Sequence, residues 1–137
     1  VTTPIVEVDF RLVAGDGFQR AFIAYSVAPL TPMNLAGWSG GASIRATFDP
    51  TYQSSPLVTM TTSTPSPNGS TLAIQAIAPI VYPDAAMWTL VGADTLLLSS
   101  GIPAAAMAKV FYNVWVTPPG GQPVTLSAGA MLVRTRV

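Results

Sequence analysis

The chain has 137 residues, half of them apolar and only 9% charged, with six Lys and Arg balanced by six Asp and Glu. Binding nucleic acid needs a basic surface that releases counterions, so a zero net charge argues against that class and against a polybasic membrane contact. The sequence holds no Cys and no His, which removes disulfides, thiolate metal sites, the usual general base and the commonest metal ligand.

The length predicts one domain spanning 1–137. A typical domain is about one quarter charged, and a monomer this poor in charge is poorly soluble at concentration. The composition therefore predicts an assembled state, with uncharged surface held against neighbours. No apolar run approaches the about 20 residues that span a bilayer. The start Val1-Thr-Thr-Pro4 has no basic or apolar leader region, so no signal peptide is expected, and a removed initiator Met or a trimmed start explains Val1 equally.

In chain order, Ile5 to Val13 alternates, with Val6, Val8, Phe10 and Leu12 opposite Glu7, Asp9 and Arg11. That pattern is a half-buried strand. Gly15-Asp16-Gly17 predicts a hairpin turn into a second strand over Phe18 to Ser26. Ala28 to Gly37, with Pro29, Pro32 and Asn34, is a connection. A third strand follows Trp38, with Ala42, Ile44, Ala46 and Phe48 opposite Ser43, Arg45 and Thr47. Gly40-Gly41 leaves room there for a bulge or a close backbone approach, and Asp49-Pro50 ends the strand.

Leu57 to Thr62 and Ser70 to Ile77 are predicted strands on either side of an Asn68-Gly69 turn. Residues 78–108 form an irregular insert. Within it, Met87 to Val91 and Thr95 to Leu98 read as a hairpin around Gly92-Ala93-Asp94, or one of the two as a helical turn. Gly101 to Met107, with Pro103 near its start, reads as another helical turn. Lys109 to Thr117 carries β-branched and aromatic residues on both parities, which describes a strand covered on both faces. Pro118-Pro-Gly-Gly121 then returns the chain, and two further strands meet at Gly129. Short strands at this spacing, separated by Gly and Pro and with no amphipathic helix, predict an all-β antiparallel sandwich of about 7–9 strands.

Several of these pieces resemble an immunoglobulin-like domain found in bacteriophage virion proteins, related to the N-terminal domain of the phage baseplate upper protein. Pro32-Met-Asn-Leu-Ala-Gly-Trp38 is similar to the family's corner Pro-x-Asp-Leu-Thr-Gly-Tyr, and Ala42-Ser-Ile-Arg45 to the strand after it. Asn68-Gly-Ser-Thr-Leu-Ala-Ile74 sits where the family has a Gly-led strand. Tyr112-Asn-Val-Trp-Val-Thr117, Val124-Thr-Leu126 and Gly129 to Val133 resemble its closing strands. The resemblance covers about two thirds of the chain and departs at the insert. It implies an immunoglobulin-like fold and a structural role in a virion, made in the host cytoplasm, in contact with other virion proteins and copies of itself.

No catalytic constellation competes with this reading. A Ser-Lys pair would have to use Lys109, the one lysine, at the mouth of a strand. Glu7 and Asp9 share one strand face, and Asp16, Asp49, Asp84 and Asp94 fall in predicted turns, where Asp stabilises the turn itself. Neither set flanks a bond as paired glycosidase carboxylates do, and a calcium site lacks its acidic cluster. No enzyme, cofactor or metal is expected. Asn68-Gly-Ser70 matches a glycosylation sequon but reads as a turn.

Trp38 and Trp115 occupy positions where a sandwich wants a large core residue. Trp88, Met87 and Tyr82 in the insert, with Tyr52 in the Pro-rich 50–56 loop, are the candidate protein–protein contacts, since interfaces favour such side chains. The alternative function is a carbohydrate-binding module for host surface glycan, which predicts aromatic rings gathered on one exposed face.

Overall fold

The computed structural model describes residues 6–7, 9–26, 31–48, 53–76, 84–99 and 107–135. Among them are strands β1 (Val6–Glu7), β2 (Phe10–Val13), β3 (Phe18–Phe22), β4 (Tyr25–Ser26), β5 (Thr31–Pro32), β6 (Ser39–Arg45), β7 (Val58–Thr61), β8 (Thr71–Gln75) and β9 (Ala85–Leu90). Helix α1 (Gly92–Leu98) follows, then β10 (Met107–Thr117) and β11 (Val124–Arg134).

The longest strands, β10 and β11, form an antiparallel hairpin closed by a turn in which the Gly121 amide donates to the Pro118 carbonyl at 3.0 Å. Between Val114 and Trp115 the register shifts, and Leu126 is the extra residue on β11. β6 pairs antiparallel with the far side of β10, and β7 with β6. β1 and β2 run parallel to β11 on its other side. These make a six-stranded sheet in the order β1/β2, β11, β10, β6, β7, and β3, β9 and β8 make a three-stranded antiparallel one.

The two sheets enclose one core. In immunoglobulin terms β11, β10, β6 and β7 take the places of strands G, F, C and C′, and β3, β9 and β8 those of B, E and D. The chain is an immunoglobulin-like β-sandwich with its N-terminal strand at the G edge.

A ring cluster centres the core. Trp88 of β9 is fully buried, with its ring 5.8 Å from Phe18, 6.3 Å from Phe22 and 5.6 Å from Tyr112. Its Nε1 lies 3.3 Å from the Met60 sulfur. Phe10 closes the cluster, 5.2 Å from Phe18 and 5.1 Å from Tyr112. Phe18 and Phe22 come from β3 and Tyr112 from β10, the two strands that a disulfide joins in antibody domains. Each ring pair contributes about 0.5–1.5 kcal/mol beyond area burial, so a few of them match the about 2–4 kcal/mol of a disulfide. The cross-brace is therefore available to a chain without cysteine.

Several expectations need correction. The strand expected over Phe18 to Ser26 divides into β3, in the small sheet, and β4, which pairs with β5 inside the expected connection as a separate two-stranded sheet. Gly15 and Asp16 do not turn a hairpin: β2 pairs with β11 in one sheet and β3 with β9 in the other, so the chain crosses between layers there. The crossing is held on α1, where the Thr95 hydroxyl accepts from the Gly15 amide at 3.0 Å and donates to the Asp16 carbonyl at 2.8 Å. A Cβ on Gly92 would collide with the Gly15 carbonyl, so this docking requires glycine at the start of the helix.

Gly129 does not divide two strands, because β11 runs unbroken through it opposite Tyr112. Phe48 lies beyond the end of β6 and is 68% exposed, since the chain bends at 46–47. Trp115 is half-buried on the outer side of the large sheet rather than in the core, because Val114 and Val116 take the inward parity. Its indole lies on Gly41, where any Cβ would overlap the ring.

Other expectations hold. β6, β7 and β8 form where the alternation placed strands; of the two readings of the insert, Met87 to Leu90 lies in a strand, β9, that begins at Ala85, and Thr95 to Leu98 lies in the helical turn. Trp38 is half-buried and packs against the core. The helical turn expected within 101–107 lies almost wholly outside the described residues.

Candidate functional site

The chemistry-bearing groups are few, and one of them is buried. Asp94, in the first turn of α1, is 1% exposed. Its Oδ2 accepts from the hydroxyls of Ser66 and Ser70, and its Oδ1 from the Asn68 amide at 2.9 Å. Each serine hydroxyl is used twice. Ser66 Oγ also accepts from the Ser70 amide at 2.9 Å, and Ser70 Oγ from the Val91 amide at 3.0 Å.

Burial pushes the Asp94 carboxyl up, but hydrogen bonds from Ser66, Ser70 and Asn68 more than offset it and hold it below its ordinary value. A carboxylate saturated with neutral donors has no lone pair aimed at a substrate. Its work is structural: it ties the start of α1 to the turn between β7 and β8. Among the described residues no group of three or more Asp or Glu gathers to hold a metal ion.

The remaining candidates are surfaces, and strand register decides what each presents. On the outer side of the large sheet, cross-strand rows place Arg11, Leu132 and Lys109 side by side, then Ala130, Phe111 and Arg45. Arg45 is engaged with its own sheet, donating through Nη1 to Ser43 Oγ and Asn113 Oδ1 and through Nε to the Ser54 carbonyl at 3.0 Å. Lys109 Nζ lies 5.7 Å from the Phe111 ring, and Phe48 meets that ring edge-on at 5.9 Å. Asp9, at the edge of this sheet, accepts from the Ala130 amide at 3.1 Å.

The outer side of the small sheet is different. Alternation along β9 sends Ala86, Trp88 and Leu90 inward and leaves Ala85, Met87 and Thr89 on the other parity. Register then gives a row Gln19, Thr89, Thr71 and a row Ala21, Met87, Ala73, with Gln75 beside Ala85. Among the described residues none of these outward positions is charged. The Gln19 side-chain amide donates to Thr89 Oγ1 at 3.1 Å, so even the polar groups of this face partner within it.

The predicted contact residues divide on these observations. Met87 is half-buried at the middle of the uncharged face. Trp88, its neighbour, is corrected to a core residue: opposite strand parity turns it inward, and its full burial removes it from any contact surface. Tyr52 and Tyr82 lie outside the described residues. The signal that separates Met87 from Trp88 is present in the sequence as the alternation of Ala85 to Leu90. A second signal is the stretch from Pro50 to Pro83, which contains no Asp, Glu, Lys or Arg and includes both β7 and β8.

No protein-family model matches the chain, and no curated protein matches it. Among solved structures it is similar to that of murine CRIg, at 10% identity with a TM-score of 0.36, over 99% of this chain and 96% of that one. The immunoglobulin-like assignment rests on the strand order and pairing of the sheets themselves.

Proposed function

We propose that this chain is a non-enzymatic structural protein of a bacteriophage virion, built into the particle in several symmetric copies. One observation carries the assembly part of the reading. Phe48, Leu57, Leu96, Leu97 and Met107 are 44–68% exposed on a chain in which 9% of residues are charged. Leu96 and Leu97 are adjacent on α1. Such surface is poorly suited to a free monomer and well suited to contact with neighbours.

The virion part is supported by the resemblance of Pro32–Trp38 to the phage corner motif. In that corner Leu35 is fully buried, its amide donates to the Asp84 carbonyl at 3.1 Å, and its carbonyl accepts from the Trp38 amide at 2.9 Å. A tail, baseplate or fibre-adaptor position and a head-decoration position both suit a small sandwich of this kind.

Glycan recognition is the second reading, favoured by Phe48, Phe111 and Trp115 lying on one outer face. Mass spectrometry of purified particles, paired with a glycan array, separates the two. The structural reading expects the chain in the particle at a fixed copy ratio and no sugar affinity. Glycan binding lost in Trp115→Ala, by a chain absent from particles, would replace it.

A further inference from the structure

Three asparagines occur in the chain, and one of them, Asn68, is followed by glycine. Leu35 and Val114 follow the other two, so a branched side chain screens the backbone nitrogen after Asn34 and Asn113. Gly69 has no such screen. It stands at φ +100°, in the region that favours glycine, with open space where a Cβ would be. Asn68 and Gly69 are both exposed, so water reaches the pair.

The asparagine amide is a thermolabile group, and in this setting it is open to cyclisation. The Gly69 nitrogen gives up its proton to solvent base and attacks Asn68 Cγ. The N–Cγ bond forms, and the Cγ–Nδ2 bond breaks with loss of ammonia. Water then opens the five-membered imide at either carbonyl, leaving aspartate or isoaspartate at position 68. The step consumes one water and needs no oxidant or reductant.

Two hydrogen bonds oppose this reaction in the folded chain. The Gly69 amide donates to the Ser66 carbonyl at 2.9 Å, which ties up the attacking nitrogen. Asn68 Nδ2 donates to Asp94 Oδ1 at 2.9 Å, which holds the carboxamide on the carboxylate. Asp94 is itself buried and fixed by the hydroxyls of Ser66 and Ser70. We propose that Asn68 is a modification site gated by Asp94: it deamidates when the turn between β7 and β8 lifts from α1, and the product keeps that turn from closing again.

The second half follows from the same geometry. An oxygen in place of Nδ2 would stand at hydrogen-bond distance from Asp94 Oδ1 with no proton to share at neutral pH. Two carboxylates at that separation disfavour each other's charge, and Asp94 loses a donor. Chemistry makes the step irreversible, and charge opposes reclosure.

Peptide mapping by mass spectrometry, on folded protein held at mildly alkaline pH, follows the amide-to-acid mass gain at Asn68. Wild type is expected to convert about tenfold or more slowly than a free peptide spanning 64–72, the effect of one hydrogen bond to a charged acceptor. Asp94→Ala, its fold checked by circular dichroism, is expected to recover most of the peptide's rate. Trp88→Phe, which loosens the core without touching Asp94, is expected to stay near wild type. Conversion as fast in wild type as in the peptide, or raised equally by Asp94→Ala and Trp88→Phe, overturns the gate. A second arm does not depend on Asp94→Ala folding. Asn68→Asp is expected to unfold at a lower temperature than Asn68→Ala at neutral pH, with the gap closing as pH falls below the carboxylate range. An Asn68→Asp protein as stable as Asn68→Ala at neutral pH overturns the opposition to reclosure.

Discussion

The two sheets close on one core but turn opposite characters outward. The outer side of the large sheet carries Arg11, Arg45, Lys109 and aromatic rings, while the outward positions of the small sheet are Ala, Met, Thr and Gln, its Arg20 lying on the other parity opposite Trp88. Inward, the parities agree: Val110, Tyr112, Val114 and Val116 from one side meet Ala86, Trp88 and Leu90 from the other. Folding constrains the inward parity, because the inward residues of the central strands are buried against the opposing sheet. The outward parity is free to follow use, so the difference between the two outer faces bears on function where the core does not.

The largest break in this comparison comes from Trp88→Ala, which removes the ring on which both sheets close. Truncating a buried aromatic costs about 3–5 kcal/mol, and denaturant unfolding should show that loss while both outer faces lose their support together. Asp94→Ala is expected to cost about 2–4 kcal/mol, because it leaves the buried donors of Ser66 and Ser70 without their acceptor. Hydrogen exchange should then rise first around α1 and β8, on the small-sheet side.

Asp94 also sets a pH dependence. Its folded-state carboxyl titrates below the ordinary value of 3.8. Its contribution is therefore full above that value and is lost as pH falls through the folded one. Acid unfolding of wild type and Asp94→Asn should converge as pH falls below the ordinary carboxylate range; curves that stay parallel throughout the acid limb would contradict the hydrogen-bonded carboxylate.

Gly41→Val probes the other sheet. A side chain there displaces the Trp115 indole, at about 1–3 kcal/mol for overpacking, with a change in tryptophan emission. Smallest in stability, within about 0.5 kcal/mol as for outward substitutions generally, is Met87→Glu on the outer face of the small sheet, read by the same denaturant unfolding.

Much of the fold was legible in the sequence. Alternation in Phe10–Val13, Ser39–Arg45, Val58–Thr61 and Thr71–Gln75 marks strands because burying one face of a sheet demands it. What alternation does not carry is the identity of the partner strand. Gly15-Asp16-Gly17 looks the same whether the chain turns back in one sheet or crosses to the next, and only the docking of Thr95 and Gly92, some eighty residues on, decides it.

The tryptophans show a related limit. Trp115 and Trp88 both sit in apolar strands, and which one fills the core depends on the neighbour's parity: Val114 and Val116 exclude Trp115, whereas Ala86 and Leu90 carry Trp88 inward. In sequence Asp94 reads only as a turn residue. Its partners Ser66, Asn68 and Ser70 lie in a Ser- and Pro-rich loop whose sequence carries no separate mark of a buried carboxylate.

The most direct test of assembly through uncharged surface is the mean mass of the wild-type chain by sedimentation equilibrium at low and at high ionic strength. Contact through uncharged surface predicts association that is unchanged or strengthened by salt, since no charges are screened and apolar burial is favoured. Association that weakens as salt rises, or one copy at every concentration and ionic strength, would contradict it.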